Sequence, residues 1–518
     1  MTILLDPLLC VVLMPLLSAL GLIVFPRREG GLLRMAALIL FLLQALGCLF
    51  LVMSDLPSGG YTTDLQWIPS LALNVQLRYD GASGGVIMLI AGVFPAALCL
   101  EGRVLEARRS FTALFMLQAA MLLVCLSDSL LLFIVSWQLM VLGTSVYLGP
   151  LLRWRYGLPA LAASGLMMLA GLELLVAYHD GAGAVWASSF DELHKVLLPR
   201  DAAWRGALLL LPAILMQFCM VPLHGWVGRS LELGSTPFAL VAVAMGPAMG
   251  GLLLSRWILP QYGLVWAPFT AELSGGVAIV AVVAAMMVSA ERSGVRLIAS
   301  ICLVYGAIAL TGFLVVDADA LASVRVLLVA YGIGIAGLVL GFESLARAGF
   351  SDLKSLRGLR SAAPGFYWRL VLVTLCLVAF PLTMGFGPLM GLIVALIGVA
   401  PAAAILLSLS SAWVGFSVCR IVLRMGQGRP RAALLEFGNR CSRRSRWPER
   451  AMLCAIVCSL GAGGSGTGIA RSMQGHAEED VGLVHRSVCR SAKIAPVRPL
   501  VLRSVAGCEP RSLELVPQ

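Results

Sequence analysis

Residues 367–398 read YWRLVLVTLCLVAFPLTMGFGPLMGLIVALIG, and no charged residue follows Arg369 in the run. About 20 apolar residues in a helix cross the roughly 30 Å of a bilayer's hydrocarbon core. This run is too long for one simple crossing, and Pro381, Gly385 and Phe386 fall in its middle. Proline removes a backbone hydrogen bond and glycine loosens the turn, so the run reads as a membrane helix broken near Pro381. Twelve further apolar runs can be drawn, at roughly 3–25, 33–53, 83–101, 110–127, 129–149, 158–178, 205–223, 236–258, 270–289, 297–316, 324–345 and 402–423. The runs lack strand alternation, and helices are the economical way to satisfy so much backbone in lipid. The chain therefore reads as an all-α polytopic membrane protein with about 13–14 transmembrane helices.

Composition agrees. Of 518 residues, 59% are hydrophobic and 13% charged, with a mean hydropathy of +0.93. Soluble domains carry roughly 25% charged residues, so a soluble enzyme, a disordered chain and a nucleic-acid-binding domain are excluded. The net charge of +11 does not point to nucleic acid, because residues 424–518 hold 15 Lys+Arg against 7 Asp+Glu. Residues 1–423 thus form a transmembrane domain. Residues 424–518 form a basic tail, with a weak fourteenth helix conceivable at 451–468 and loose order beyond it. The first run lacks a basic leader and a small-residue cleavage site and reads as a retained helix. Arginines concentrate in alternate loops (Arg27 and Arg28; Arg103, Arg108 and Arg109; Arg153 and Arg155; Arg292 and Arg296; Arg347, Arg357 and Arg360). The positive-inside rule then puts the N-terminus outside a cell inner membrane. Of the 13 cysteines, eight are scattered singly through apolar runs and no CxxC pair occurs, so neither an iron–sulfur nor a zinc signature is present.

Four segments, in order, resemble one family. LRYDGAS at 77–83, LFIVSWQ at 132–138, QFCMVPLHGW at 217–226 followed by Thr236-Pro237, and SDLKSLRG at 351–358 with VAFPLTMGF at 378–386 look like the elements of the antiporter-like membrane subunits of respiratory complex I (NADH:quinone oxidoreductase), M/N/L type. Relatives of those subunits serve membrane hydrogenases and multisubunit sodium/proton antiporters. The PLHxW element with its spaced Thr-Pro is the most specific part. MGG at 249–251 before Arg256 leans toward the M type. The resemblance implies two inverted five-helix repeats, each with a broken helix. The breaks fall at Pro222 and Pro381, joined by a chain of protonatable side chains. It implies other membrane subunits as partners, a lipid bilayer around them, no nucleic acid, no metal, and no cofactor or catalytic residue in this chain.

The ionisable positions depart from the family pattern. Its helix-five glutamate falls at Gln138, its broken-helix lysine at Gln217, its next lysine at Ala248, its helix-eleven histidine at Tyr331 and its last acid or lysine at Leu389. A slip in alignment cannot restore a lysine, because the chain has three, Lys195, Lys354 and Lys493, all in polar segments. Glutamine neither binds nor releases a proton near neutral pH. Gln138 and Gln217 read either as a neutralised pair bonding each other or water, or as ordinary packing amides. Glu173 is an intramembrane acid by sequence, or one that reaches the outer interface near His179 and Asp180. His224 reads as a proton relay or as a structural histidine. The expected function is a membrane subunit of a complex I-like assembly with doubtful proton conduction. The alternatives are a component of a cation/proton antiporter, a hydrogenase or an inorganic-carbon uptake system, or a decayed paralogue.

Overall fold

A computed structural model describes residues 6–24, 30–53, 61–68, 73–101, 107–147, 157–181, 189–195, 198–233 and 236–443. The expected helix at 451–468 and the tail beyond residue 443 lie outside them. The chain opens with α1 (Pro7–Val24) and α2 (Gly30–Met53), then an antiparallel hairpin of β1 (Tyr61–Ile68) and β2 (Leu73–Tyr79). Next come α3 (Gly81–Cys99), α4 (Ala107–Leu126), α5 (Leu130–Tyr147), α6 (Leu158–Gly181), α7 (Arg200–Gln217) and α8 (Trp226–Leu233). The helix α9 (Thr236–Leu253) passes through a π-turn at Leu254–Ile258 into α10 (Leu259–Trp266). The series closes with α11 (Thr270–Ala290), α12 (Gly294–Leu314), α13 (Ala318–Arg347), α14 (Pro364–Leu377), α15 (Phe386–Val399), α16 (Pro401–Gly426) and α17 (Ala432–Arg443).

Among the described residues, ten helices are long and apolar enough to cross a membrane. The shorter α5 and two interrupted crossings, α7/α8 and α14/α15, bring the described residues to thirteen passes. The all-α expectation holds for this membrane body; the hairpin lies outside the crossings. Burial divides the helices. The windows of α9, α12 and α13 are 94%, 89% and 94% buried, whereas that of α2 is 28% buried. Helices buried all round form the centre, and helices such as α1 and α2 turn Leu17, Leu20, Leu46 and Phe50 outward, as a lipid-facing surface requires.

Both expected breaks are present, and they are built alike. After α7, Phe218 N–H donates to Ile214 O, Cys219 N–H to Met216 O and Met220 N–H to Leu215 O. After α14, Val378 donates to Thr374, Ala379 to Cys376 and Phe380 to Leu375 in the same order. This is a Schellman stop, whose left-handed residue is usually glycine. Here it is Cys219 at φ 55° and Ala379 at φ 50°. Pro222 and Pro381 follow within three residues, so neither helix can resume directly. The two broken crossings lie five passes apart and therefore run in opposite directions, as inverted repeats require.

α12 touches both breaks through adjacent residues. Tyr305 Oη donates to Leu377 O at 2.8 Å, supplying a partner to a carbonyl at the end of α14 that has none within the helix. A Cβ on Gly306 would stand 1.8 Å from Phe218 O, so only glycine lets the first break lie against α12.

Candidate functional site

The first break lies beside a cavity of about 80 Å³ bounded by α4 to α9, large enough for several waters. Trp137, Met140, Met216, Trp226 and Met249 supply much of its wall, and Thr144, Ser145, Ser164 and Gln217 its polar positions. Among the described residues, no charged side chain lines it. Gln217 is the last residue of α7 and reaches this wall. Thr144 Oγ1 is spent on Met140 O and Val141 O, and the Trp226 indole N–H donates to Met216 O.

Gln138 lies on α5 but bonds across to α6. Its Nε2 donates to Ser164 O at 2.8 Å, and Ser164 Oγ donates to its Oε1 at 2.7 Å. The amide is therefore committed to Ser164. Among the described residues it makes no bond to Gln217, so of the readings offered for the two amides the direct contact between them is not the one seen. Ser164 is the link between them, since it holds Gln138 and also lines the cavity. His224 sits in the short turn Leu223–Gly225 after the break, half-buried, with a buried Nδ1 that has no partner among the described residues. Tyr331, on α13, stacks on Tyr305 with ring centroids 3.9 Å apart, and its buried hydroxyl is without a described partner. The structure thus gathers Gln217 and His224 at the first break and sets Tyr331 beside the donor that caps the second. Ala248 and Leu389 are buried apolar positions. Glu173 is outside this group. Its side chain is 44% exposed, and its carboxylate lies 3.7 Å from Arg205 on α7.

A second cluster, at the hairpin end, was not singled out by the sequence reading. Asp80 caps α3, accepting from Ser83 N–H at 2.8 Å while Ser83 Oγ accepts from Asp80 N–H. Arg256, in the π-turn, reaches Asp80 Oδ2 at 3.0 Å and Ser127 O at 2.7 Å. Its own carbonyl accepts from His194 Nε2 at 3.1 Å. Arg78 on β2 pairs with Asp128 in the α4–α5 turn at 3.3 Å and with Asp191. Burial raises the Asp80 carboxyl, but Arg256 and the Ser83 donors outweigh it and hold it below its ordinary value. Burial dominates at Asp128 and pushes it up to about 6 despite Arg78. Burial likewise lowers His194 to about 4, against the pull of Asp191, so its ring is neutral near pH 7. The signal for this cluster was available: Arg256 is the sole charged residue in the Thr236–Gly263 span, and an Asp before a helix start reads as a cap. A buried arginine also needs a carboxylate partner, and a π-turn often marks a functional position.

Residues 127–415 match the family described as NADH:quinone oxidoreductase/Mrp antiporter, TM. A NAD(P)H-quinone oxidoreductase chain 4 of Microcystis aeruginosa is 27% identical over 278 residues, 51% of this chain and 50% of that protein. NADH-quinone oxidoreductase subunit M of Escherichia coli is 23% identical over 333 residues, 60% of this chain and 63% of that protein. The chain thus spans about half to three-fifths of the length of these relatives. Among solved structures, a chain of respiratory complex I from Thermus thermophilus superposes with a TM-score of 0.75 at 19% identity, covering 92% of this chain and 99% of that one. A chain of the Mrp complex from Dietzia sp. superposes at 0.73 and 18% identity, covering 93% of this chain and 52% of that one. At such identities the superpositions speak for the fold.

Proposed function

Because this chain belongs to the NADH:quinone oxidoreductase/Mrp antiporter transmembrane family, we propose that it is a structural membrane subunit of a complex I-like assembly, one that keeps the antiporter-like fold without a lysine-based ion path of its own. The observation that carries this reading is the uncharged wall of the cavity at the first break, with Gln217 at the helix end and Gln138 held by Ser164. A buried lysine serves conduction because its affinity for a proton can swing by several orders of magnitude, and a carboxamide has no such range. NADH and quinone chemistry then belong to partner subunits. The hairpin end faces outward, and the arginine-bearing ends of α13 and α16 face the cytoplasm of an inner membrane. This orientation is supported by the loop arginines.

The test is purification of the tagged chain from its native membrane in mild detergent, with mass spectrometry of what accompanies it. Subunits of a NADH:quinone oxidoreductase are expected. Recovery of cation antiporter or hydrogenase subunits, or of a lone soluble partner, would replace the complex I-like assignment. Conduction is tested in the same assembly in proteoliposomes. Gln217→Ala should leave proton uptake per electron unchanged, and a fall in that ratio would show that this subunit conducts.

A further inference from the structure

The end of the molecule opposite the hairpin carries a platform that the membrane fold alone does not require. The α13–α14 link and the stretch after α16 are knitted together there. Gly358 N–H donates to Gln427 O, and Gly358, at φ +84°, packs its Cα against Pro430 so closely that a Cβ would stand 2.5 Å from it. α17 is laid over this junction by Leu434 and Phe437, which are buried, with Phe437 edge-on to Phe350 and Phe366. The polar side of the platform presents Lys354, Arg357, Arg360, Arg424, Arg429 and Arg431, all exposed.

Other arginines at this end are matched by carboxylates. Arg229 and Arg296 both lie within 4 Å of Glu232, and Arg347 lies 2.8 Å from Glu343. Among the described residues, Arg357, Arg424, Arg429 and Arg431 form no ion pair. The six basic side chains outnumber the two exposed carboxylates of the platform, Asp352 and Glu436, and such an excess at the foot of membrane helices attracts anions. Its surroundings set the depth. Trp368 is half exposed with the Arg360 guanidinium 5.5 Å over its ring, and Leu423 and Leu435 are exposed beside the arginines. Tryptophan with exposed leucine marks the headgroup level of a bilayer, and an amphipathic helix such as α17 lies in that plane.

We propose that this platform is a binding surface for anionic phospholipid headgroups of the adjoining leaflet, with Arg357, Arg429 and Arg431 taking the phosphates and Trp368 and Leu435 resting at the acyl boundary. Arginine suits this chemistry because its planar fork meets phosphate oxygens two at a time.

The experiment compares lipids retained by the full chain, purified with its native partners in mild detergent, and by the same complex in phosphatidylcholine nanodiscs with or without phosphatidylglycerol. Wild type should keep phosphatidylglycerol in preference to phosphatidylcholine and lose it as salt is raised. Combined Arg357→Gln, Arg429→Gln and Arg431→Gln should lower that retention on the order of tenfold. The corresponding three Arg→Lys changes, which keep the charge and lose the two-point fork, should fall between wild type and the triple Gln protein, and Arg229→Gln with Arg296→Gln should leave retention unchanged. Equal retention of the two lipids by wild type, or retention indifferent to salt, overturns the proposal without any variant. So does the triple Gln protein with wild-type lipid but a missing companion subunit, which would assign the platform to an acidic protein surface.

Discussion

Gly306→Ala is the sharpest probe of how the two breaks are held. The added methyl would begin 1.8 Å from Phe218 O, where an ordinary carbon–oxygen contact needs about 3.3 Å. A shift of about 1.5 Å is therefore demanded of a carbonyl that sits in a hydrogen-bonded helix stop. Phe218 is itself buried and packs edge-on to Phe313 of the same α12, so neither side has room to yield. Overpacking of this kind costs about 1–3 kcal/mol, and the backbone partner places it at the upper end. A cost of about 3 kcal/mol lowers the folded-to-unfolded ratio on the order of a hundredfold. Gly275→Ala is the matched control: it lies in α11, and nothing stands within 4 Å of its added carbon. It should gain about 0.5–1 kcal/mol from helix propensity. Half-lives at elevated temperature in one detergent, followed by fluorescence-detected size exclusion, rank the two against wild type. A Gly306→Ala protein that outlives wild type, or matches Gly275→Ala, would refute the close approach of α12 to the first break.

The tyrosine pair separates a paired hydroxyl from an unpaired one. Tyr305→Phe removes the donor to Leu377 O and should cost about 1–2 kcal/mol. Tyr331→Phe removes a buried hydroxyl that has no described partner and should be neutral or stabilising; equal losses in thermal half-life would contradict this. At the hairpin end, Asp128 is raised to about 6 by burial, above the ordinary 3.9 or so of an unfolded aspartate. The folded state then holds the proton more tightly, so the ionised carboxylate lowers stability as pH climbs from about 4 through 6. Asp128→Asn should flatten that decline, and parallel melting-temperature curves for the two proteins across this range would reject it. Asp80→Asn and Arg256→Gln each break a buried pair and should cost about 3–5 kcal/mol, with the double change costing less than their sum. Strict additivity in a double-mutant cycle would show that the pair is not coupled.

The membrane body was legible because its signals are long. Twenty apolar residues admit few alternatives in lipid, and a proline inside such a run can act only as a break or a kink. Pro381 was accordingly legible from its overlong run, whereas Pro222 was placed by the resemblance of its PLHxW element, since Pro15, Pro95, Pro212 and Pro247 lie inside unbroken helices. The partners of polar side chains were not legible, because they depend on helix facing. Gln138 bonds Ser164, a residue 26 positions along the chain that no spacing rule selects. Glu173 could be read as a buried acid or as an interfacial one, and nothing in its spacing pointed to Arg205, which lies 3.7 Å away. The hairpin was passed over for a different reason. Its eight-residue strand is short beside the apolar runs, and its ties, such as Thr63 Oγ1 to Asp6 at 2.6 Å, join segments 57 residues apart. The Asp80–Arg256 pair is more distant still in sequence, and only the rule that a buried guanidinium must find a carboxylate pointed toward it.

The like-built stops at Cys219 and Ala379 also have an electrical meaning. Each ends a helix inside the membrane body, and a helix C-terminus carries the equivalent of about half a negative elementary charge. Neutral donors meet that charge in this chain, the Trp226 indole at Met216 O and the Tyr305 phenol at Leu377 O. A neutral donor satisfies the hydrogen bond but leaves most of the field in place. The protein therefore keeps two patches of attractive potential for a cation within its low-dielectric interior, on opposed helices. A lysine introduced by Gln217→Lys would enter a field already oriented to receive it.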